Sequence, residues 1–99
     1  MTVRDAMSAA DIYQTRTVHS KALENVNFRF DVTKALNKFL EGDWGVVCTE
    51  DAVANDEALL RFERVIGSYY TSEGELWIVA ESENGEQYTQ ITALFPEEY

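Results

Sequence analysis

The stretch RFERVIGSYYTSEGELWIVAE, residues 61–81, holds two apolar runs separated by a short polar break, and its reading decides the fold. In the first run, Phe62, Val65, Ile66, Tyr69 and Tyr70 supply the β-branched and aromatic side chains that suit a pleated surface, and Ser72-Glu73-Gly74 then supplies a turn. In the second, Leu76, Ile78 and Ala80 alternate with Trp77, Val79 and Glu81, the period of a strand with two unlike faces. Beyond it, Asn84-Gly85 is the strongest turn signal in the chain, because a type I′ hairpin requires positive φ at both central residues. A last strand is expected from Gln87 to Phe95, stopping before Pro96, which has no N–H to give to a ladder.

Upstream of this antiparallel meander the period changes. Phe28, Val32, Ala35, Leu36, Phe39 and Leu40 recur at three- and four-residue spacings, the apolar stripe of a helix, while Lys34, Asn37, Lys38 and Glu41 fall elsewhere. Asn27 or Asp31 is the expected cap, and Gly42 sits where a left-handed residue ends a helix. A second, short acidic helix is expected from Thr49 to Leu60, with Thr49 as cap and Glu50 and Asp51 facing the positive end of its dipole. Thr15-Arg16-Thr17-Val18-His19 reads as a first strand, and residues 1–12 as a frayed end or a loosely packed short helix. The expected fold is therefore α+β: one domain, 1–99, with an antiparallel sheet of three to four strands against one main helix.

Composition narrows the function. Hydrophobic content of 45% is ordinary for a folded domain, so the net charge of −10 does not signal disorder. That charge is unevenly placed. Residues 1–40 carry six basic against four acidic side chains, a balance of +2, whereas residues 41–99 carry fourteen acidic side chains against Arg61 and Arg64 alone, a balance of −12. Such a field repels phosphate backbones and attracts basic surfaces, so the expected partner is a basic protein surface and not a nucleic acid. No run approaches the roughly 20 apolar residues of a membrane helix, and Met1–Ala10 lacks the apolar core of a secretory signal. A cytoplasmic protein, monomer or homodimer, is the reading.

Catalytic signatures are missing. His19 has no nucleophile placed beside it by spacing, and Cys48, with no second cysteine, reads as a half-buried hydrophobe. The carboxylates Glu50, Asp51, Asp56, Glu57 and Glu63 lack the spacing of a calcium loop, and the five glycines form no phosphate cradle. Neither an enzyme nor a cofactor or metal is expected. What stands out is aromatic residues in acidic company: Asp43-Trp44-Gly45, Tyr69-Tyr70, Glu75 beside Trp77, and Glu97-Glu98-Tyr99. Aromatics anchor interfaces and surrounding carboxylates select cations. Trp77 faces either the core, which its size favours, or the open side of the sheet, where it would be such an anchor.

Asp43-Trp44-Gly45, Asn55-Asp56-Glu57-Ala58-Leu59, Ile66 with Tyr70, Gly74 followed by Leu76-Trp77-Ile78 and Glu81, and Leu94-Phe95-Pro96-Glu97-Glu98-Tyr99 together resemble a family of short "plasmid-related" proteins borne by plasmids and phages. The likeness spans about the C-terminal sixty per cent of the chain. Where such proteins tend to carry an acidic residue followed by Asp-Arg-Ser, this chain has Glu81-Ser82-Glu83-Asn84-Gly85-Glu86, a longer and more acidic hairpin without arginine. The resemblance brings no catalytic residues. It implies a mobile-element setting, in which a small acidic protein blocks a host defence complex, in the manner of anti-CRISPR inhibitors and DNA mimics, by filling its Lys/Arg channel. The residues assigned to partner binding are Asp43, Trp44, Glu50, Asp51, Asp56, Glu57, Glu73, Glu75, Glu83 and Glu86. The alternative is an accessory interaction module or small homodimeric scaffold built by pairing of an open sheet edge.

Overall fold

The computed structural model describes residues 2–99, with elements in the order α1 (Val3–Ala6), β1 (Asp11–Gln14), α2 (Arg16–Glu24), α3 (Val26–Leu40), α4 (Thr49–Leu59), β2 (Val65–Thr71), β3 (Gly74–Glu81) and β4 (Gln90–Leu94). A 3-10 turn, Pro96–Glu98, follows β4. The α+β class stands, and the helix expected from the Phe28–Leu40 stripe is α3, which begins two residues earlier, at Val26. Its cap is Asn25 rather than Asn27 or Asp31: the Asn25 side-chain oxygen accepts from the N–H groups of Asn27 at 3.0 Å and Phe28 at 3.2 Å. Gly42, at φ +82°, ends the helix as expected.

The sheet order is β1-β4-β3-β2, and it is mixed where an antiparallel meander was expected. β2, β3 and β4 form the meander, and β1 joins the outer side of β4 in parallel. The reading of Thr15–His19 as a strand is wrong. Thr15 accepts from the Val18 N–H at 3.3 Å and so caps α2, which buries Val18 and Ala22 against its neighbours. The strand lies just before it, at Asp11–Gln14, and overlaps only the last two residues of the segment expected to be frayed. The hairpin tip also differs. Only Gly85 has positive φ, and Asn84 uses its side chain to accept from Glu86 and Gln87 N–H, so the turn is not type I′. An open loop results, closed by Thr89 N–H donating to the Glu81 carbonyl at 2.9 Å, and β4 begins only at Gln90.

Register assigns the faces. Leu76, Ile78 and Ala80 of β3 stand beside Val65, Gly67 and Tyr69 of β2 and beside Ile91 and Ala93 of β4, and this face packs on α3. Phe28 stacks on Phe95 with ring centroids 5.8 Å apart, and Phe39 meets the edge of Trp44 at 5.2 Å. Burying these rings drives the assembly of helix on sheet. Glu75, Trp77, Val79, Ile66 and Ser68 lie on the opposite face. Among the described residues, no helix is long and apolar enough to cross a membrane.

The outer edge of β2 is covered. The side chain of Asn55, from α4, donates to the Ile66 carbonyl at 2.9 Å and accepts from the Ile66 N–H at 3.4 Å. One step along, Ser68 N–H donates to the Trp44 carbonyl at 2.9 Å and the Ser68 carbonyl accepts from Val46 N–H at 2.8 Å. An amide side chain and a short bridge thus stand in for a further strand.

Candidate partner-binding surface

The ten residues assigned to partner binding do not form one patch. Trp44 is a correction: only 4% of it is exposed, and its indole N–H donates to Asp56 Oδ1 at 3.0 Å, so it belongs to the core and offers nothing to a partner. Asp43 is exposed but structural in part, since its carboxylate accepts from the Gly45 N–H at 3.0 Å and its carbonyl accepts from the Tyr69 hydroxyl at 2.7 Å. Burial pushes the Tyr69 phenol well above its ordinary pKa, which keeps it a donor. Glu73, in the β2–β3 turn, is held by Lys21 at 3.1 Å and Asn25 at 2.8 Å and is largely neutralised. Glu83 and Glu86 are exposed at the other end of β3, roughly 25 Å away for a strand of this length.

The remaining assigned acids gather around α4. Glu50, Val53 and Glu57 recur at helical spacing on its solvent side, and all three are exposed. The helix spans Thr49–Leu59, but its cap position is held by Cys48 and not by Thr49 as expected, and the Cys48 side chain makes no capping bond. Cys48 is exposed there, not half-buried. With no side-chain cap, Glu50 and Asp51 in the first turn are what offset the positive helix end.

Between α4, residues 46–48 and the open face of the sheet runs a cleft of about 460 Å³. Asp51 and Ala54 line one wall; Ile66, Ser68, Glu75 and Trp77 line the other. Glu75 is fixed in that wall, its Oε2 accepting from the Ser68 hydroxyl at 2.6 Å and from the Trp77 indole N–H at 2.8 Å. These bonds, that of Ser68 first, hold its carboxyl below the usual range. Trp77 is half-buried and not in the core, because its register position faces away from α3; Tyr99 packs edge-on against it at 5.5 Å. Arg64 lies over the Tyr99 ring at 5.5 Å and hydrogen-bonds its hydroxyl, so the cation at this end of the cleft is already engaged. The arrangement therefore sets an ionised carboxylate beside an indole ring, with Asp51 across from both. It suits a cationic side chain that enters between acid and aromatic.

Sequence spacing placed Glu75 beside Trp77 and singled out Tyr99 without placing it there, and it missed Ser68 and Arg64; strand pairing and the C-terminal turn bring them to the cleft. Among the described residues no group of three His, Cys, Asp or Glu side chains is placed to hold a metal. His19 sits on α2, exposed, with Nδ1 3.0 Å from the Gln14 amide nitrogen.

The lowered carboxyls set a pH dependence. Glu73, through Asn25 and then Lys21, and Glu75 both titrate below their ordinary value of 4.5, so their stabilisation is present above that value and is lost as pH falls through the folded one. The net charge of −10 acts oppositely, since its self-repulsion eases as pH falls toward the pI near 4.3. The thermal midpoint should hold or rise from about pH 7 to about pH 5 and drop below about pH 4. Glu75→Gln should shallow that acid limb; a midpoint falling steadily from neutrality would contradict this balance.

No family model, no curated protein and no solved structure matches this chain.

Proposed function

We propose that this protein is an acidic inhibitor that binds a basic, nucleic-acid-handling groove of another protein, with the α4 face and the adjoining cleft as its contact surface. One observation carries the reading. Of 18 acidic side chains, only Glu73 and Glu63 are in salt bridges among the described residues, which leaves the field of the C-terminal part open to a partner. Among the described residues, Glu50, Asp51 and Glu57 make no side-chain hydrogen bond, so each is available, and Glu75 with Trp77 offers a seat for an arginine or lysine. The likeness to short proteins of plasmids and phages supplies the setting, in which a CRISPR effector's Lys/Arg channel is a fitting target.

The test is inhibition of DNA cleavage by a purified CRISPR effector, with binding read at low and high salt. Neutralising Glu50, Asp51 and Glu57 to Gln, Asn and Gln should weaken inhibition at least about tenfold while the fold holds, and added salt should weaken the unmodified protein in the same way. Glu83→Gln with Glu86→Gln should change it much less, because those side chains stand on the β3–β4 loop and do not line the cleft. Absence of inhibition, or inhibition indifferent both to the α4 substitutions and to salt, rejects the reading.

A further inference from the structure

The loop between β3 and β4 holds the one place in the chain where asparagine precedes glycine, Asn84-Gly85. A backbone nitrogen can attack the side-chain carbonyl carbon of an asparagine before it and close a succinimide ring, and glycine sets no Cβ beside that nitrogen. Gly85 stands in open space, with nothing within 4 Å of the position a Cβ would take. Around the amide the hydrogen bonds are arranged in a circuit. Gly85 N–H donates to Ser82 Oγ at 2.9 Å, and the same hydroxyl donates to Asn84 Oδ1 at 3.2 Å. Asn84 Oδ1 also accepts from Glu86 N–H at 2.9 Å and from Gln87 N–H at 3.2 Å. The Ser82 hydroxyl thus links the nitrogen that would attack to the oxygen that would take up charge, and two backbone donors polarise the carbonyl between them. The other asparagines, Asn25, Asn27, Asn37 and Asn55, cap helices or lie within them. Thr89 N–H, on the Glu81 carbonyl at 2.9 Å, closes the ladder before the loop begins, so the loop can change without unpairing β3 from β4.

We propose that Asn84 is a self-modification site, which the loop converts through a succinimide to aspartate and isoaspartate with Ser82 as proton relay. As Gly85 N bonds to Asn84 Cγ, its proton passes to Ser82 Oγ while the Ser82 hydroxyl proton passes to Asn84 Oδ1. The result is a neutral tetrahedral carbon bearing a hydroxyl and an amine, so no bare oxyanion has to form. The hydroxyl proton then moves to the amine, the carbonyl re-forms, the bond from Cγ to that amine breaks, and ammonia leaves. Asn84 is exposed, so water reaches the ring. Its addition at Cγ restores the ordinary main chain and leaves aspartate; its addition at the former backbone carbonyl routes the main chain through Cγ and leaves isoaspartate. Nothing is oxidised or reduced, and water is the only co-reactant. Either product adds a carboxylate to a loop that already carries Glu83 and Glu86, and isoaspartate also lengthens its main chain by a methylene. The site is independent of the inhibitor reading, whose contact surface is α4 and the cleft.

The experiment incubates the full chain at neutral pH, native in buffer and unfolded in guanidinium chloride, and reads conversion at Asn84 by peptide mass, with isoaspartate counted by enzymatic methylation. The native loop should convert faster than the unfolded chain, and its rate should rise less steeply with pH, because the relay removes the need for hydroxide to deprotonate the amide. Ser82→Ala should slow the native protein about tenfold, leave the unfolded rate unchanged and restore the steep pH dependence, whereas Ser82→Thr, which keeps the hydroxyl, should stay fast. The comparison of native with unfolded protein needs no variant, so it decides even if Ser82→Ala disturbs the loop. Conversion no faster in the native than in the unfolded protein, a native rate indifferent to Ser82→Ala, or equal slowing in Ser82→Ala and Ser82→Thr overturns the proposal.

Discussion

Gly45→Ala should destabilise the protein by about 3 kcal/mol or more, enough to move a denaturant midpoint far out of the ordinary range of surface substitutions. Gly45 has φ +80°, a conformation in which a side chain costs about 1–2 kcal/mol by itself. The larger part is steric. A Cβ on Gly45 would stand 1.8 Å from the Ser68 carbonyl oxygen and 2.8 Å from Tyr69 Cδ1, and neither a backbone oxygen in a sheet nor a buried ring can move cheaply. Relief requires the loop to leave the edge of β2, which breaks the Ser68–Trp44 and Val46–Ser68 hydrogen bonds and draws Trp44 away from Phe39 and Asp56. Gly85→Ala separates the two causes. Gly85 has φ +71° with nothing within 4 Å of an added Cβ, so it should cost only the conformational part, about 1 kcal/mol. Equal losses in the two variants, measured by urea unfolding, would show that the close approach at Gly45 is not real.

The same contact explains how far the sequence could be read. Helix α3 was legible because its stripe is dictated by one physical demand, burial of Phe28, Ala35 and Phe39 on the sheet, and that demand repeats every three or four residues. Strand β3 was legible through its alternation for the same reason. Strand β1 was not: all its side chains are exposed, so no apolar period marks it, and its partner lies some eighty residues on. Thr15–His19 misled because Thr and Val favour strands locally, whereas a capping hydroxyl and burial of Val18 and Ala22 settle the segment as helix. Trp44 misled in another way. Its neighbour Asp43 suggested an acidic rim around a surface aromatic, but the carboxylate that receives its indole N–H is Asp56, twelve residues away.

Seen in space, two of the stretches that the sequence singles out converge. Asp43-Trp44-Gly45 and Asn55-Asp56 meet at the outer edge of β2, where the first supplies a bridge, the second an amide clamp, and Trp44 with Asp56 the bond between them. The identities of these residues are therefore demanded by edge covering. In the proposed function, partner recognition would fall to side chains the fold leaves free: Glu50, Asp51 and Glu57 on α4, and Glu75 beside Trp77. Spacing alone could not separate the two sets, because Asp56 and Glu57 are adjacent in sequence and differ only in which side of the helix they occupy.

Asn55→Asp tests the edge clamp most sharply, through its pH dependence. Asn55 is 9% exposed, and its amide nitrogen donates to the Ile66 carbonyl at 2.9 Å. A carboxylate of the same shape has no donor to give. It would set negative charge against that carbonyl oxygen and leave the carbonyl without a partner, at a cost of about 2–4 kcal/mol near neutral pH. Protonation restores a donor, so the variant carboxyl should titrate above its unfolded value. The cost is then absent below the ordinary Asp range, grows as pH rises through it, and levels off above the raised folded value. Unfolding curves of the variant and its parent should therefore converge toward about pH 4 and separate toward about pH 7. Asn55→Ala, which removes the clamp without adding charge, should lose about 2 kcal/mol with no such trend. A loss in Asn55→Asp that is constant across that range would mean that residue 55 is solvated and the edge of β2 is held by the Trp44–Val46 bridge alone.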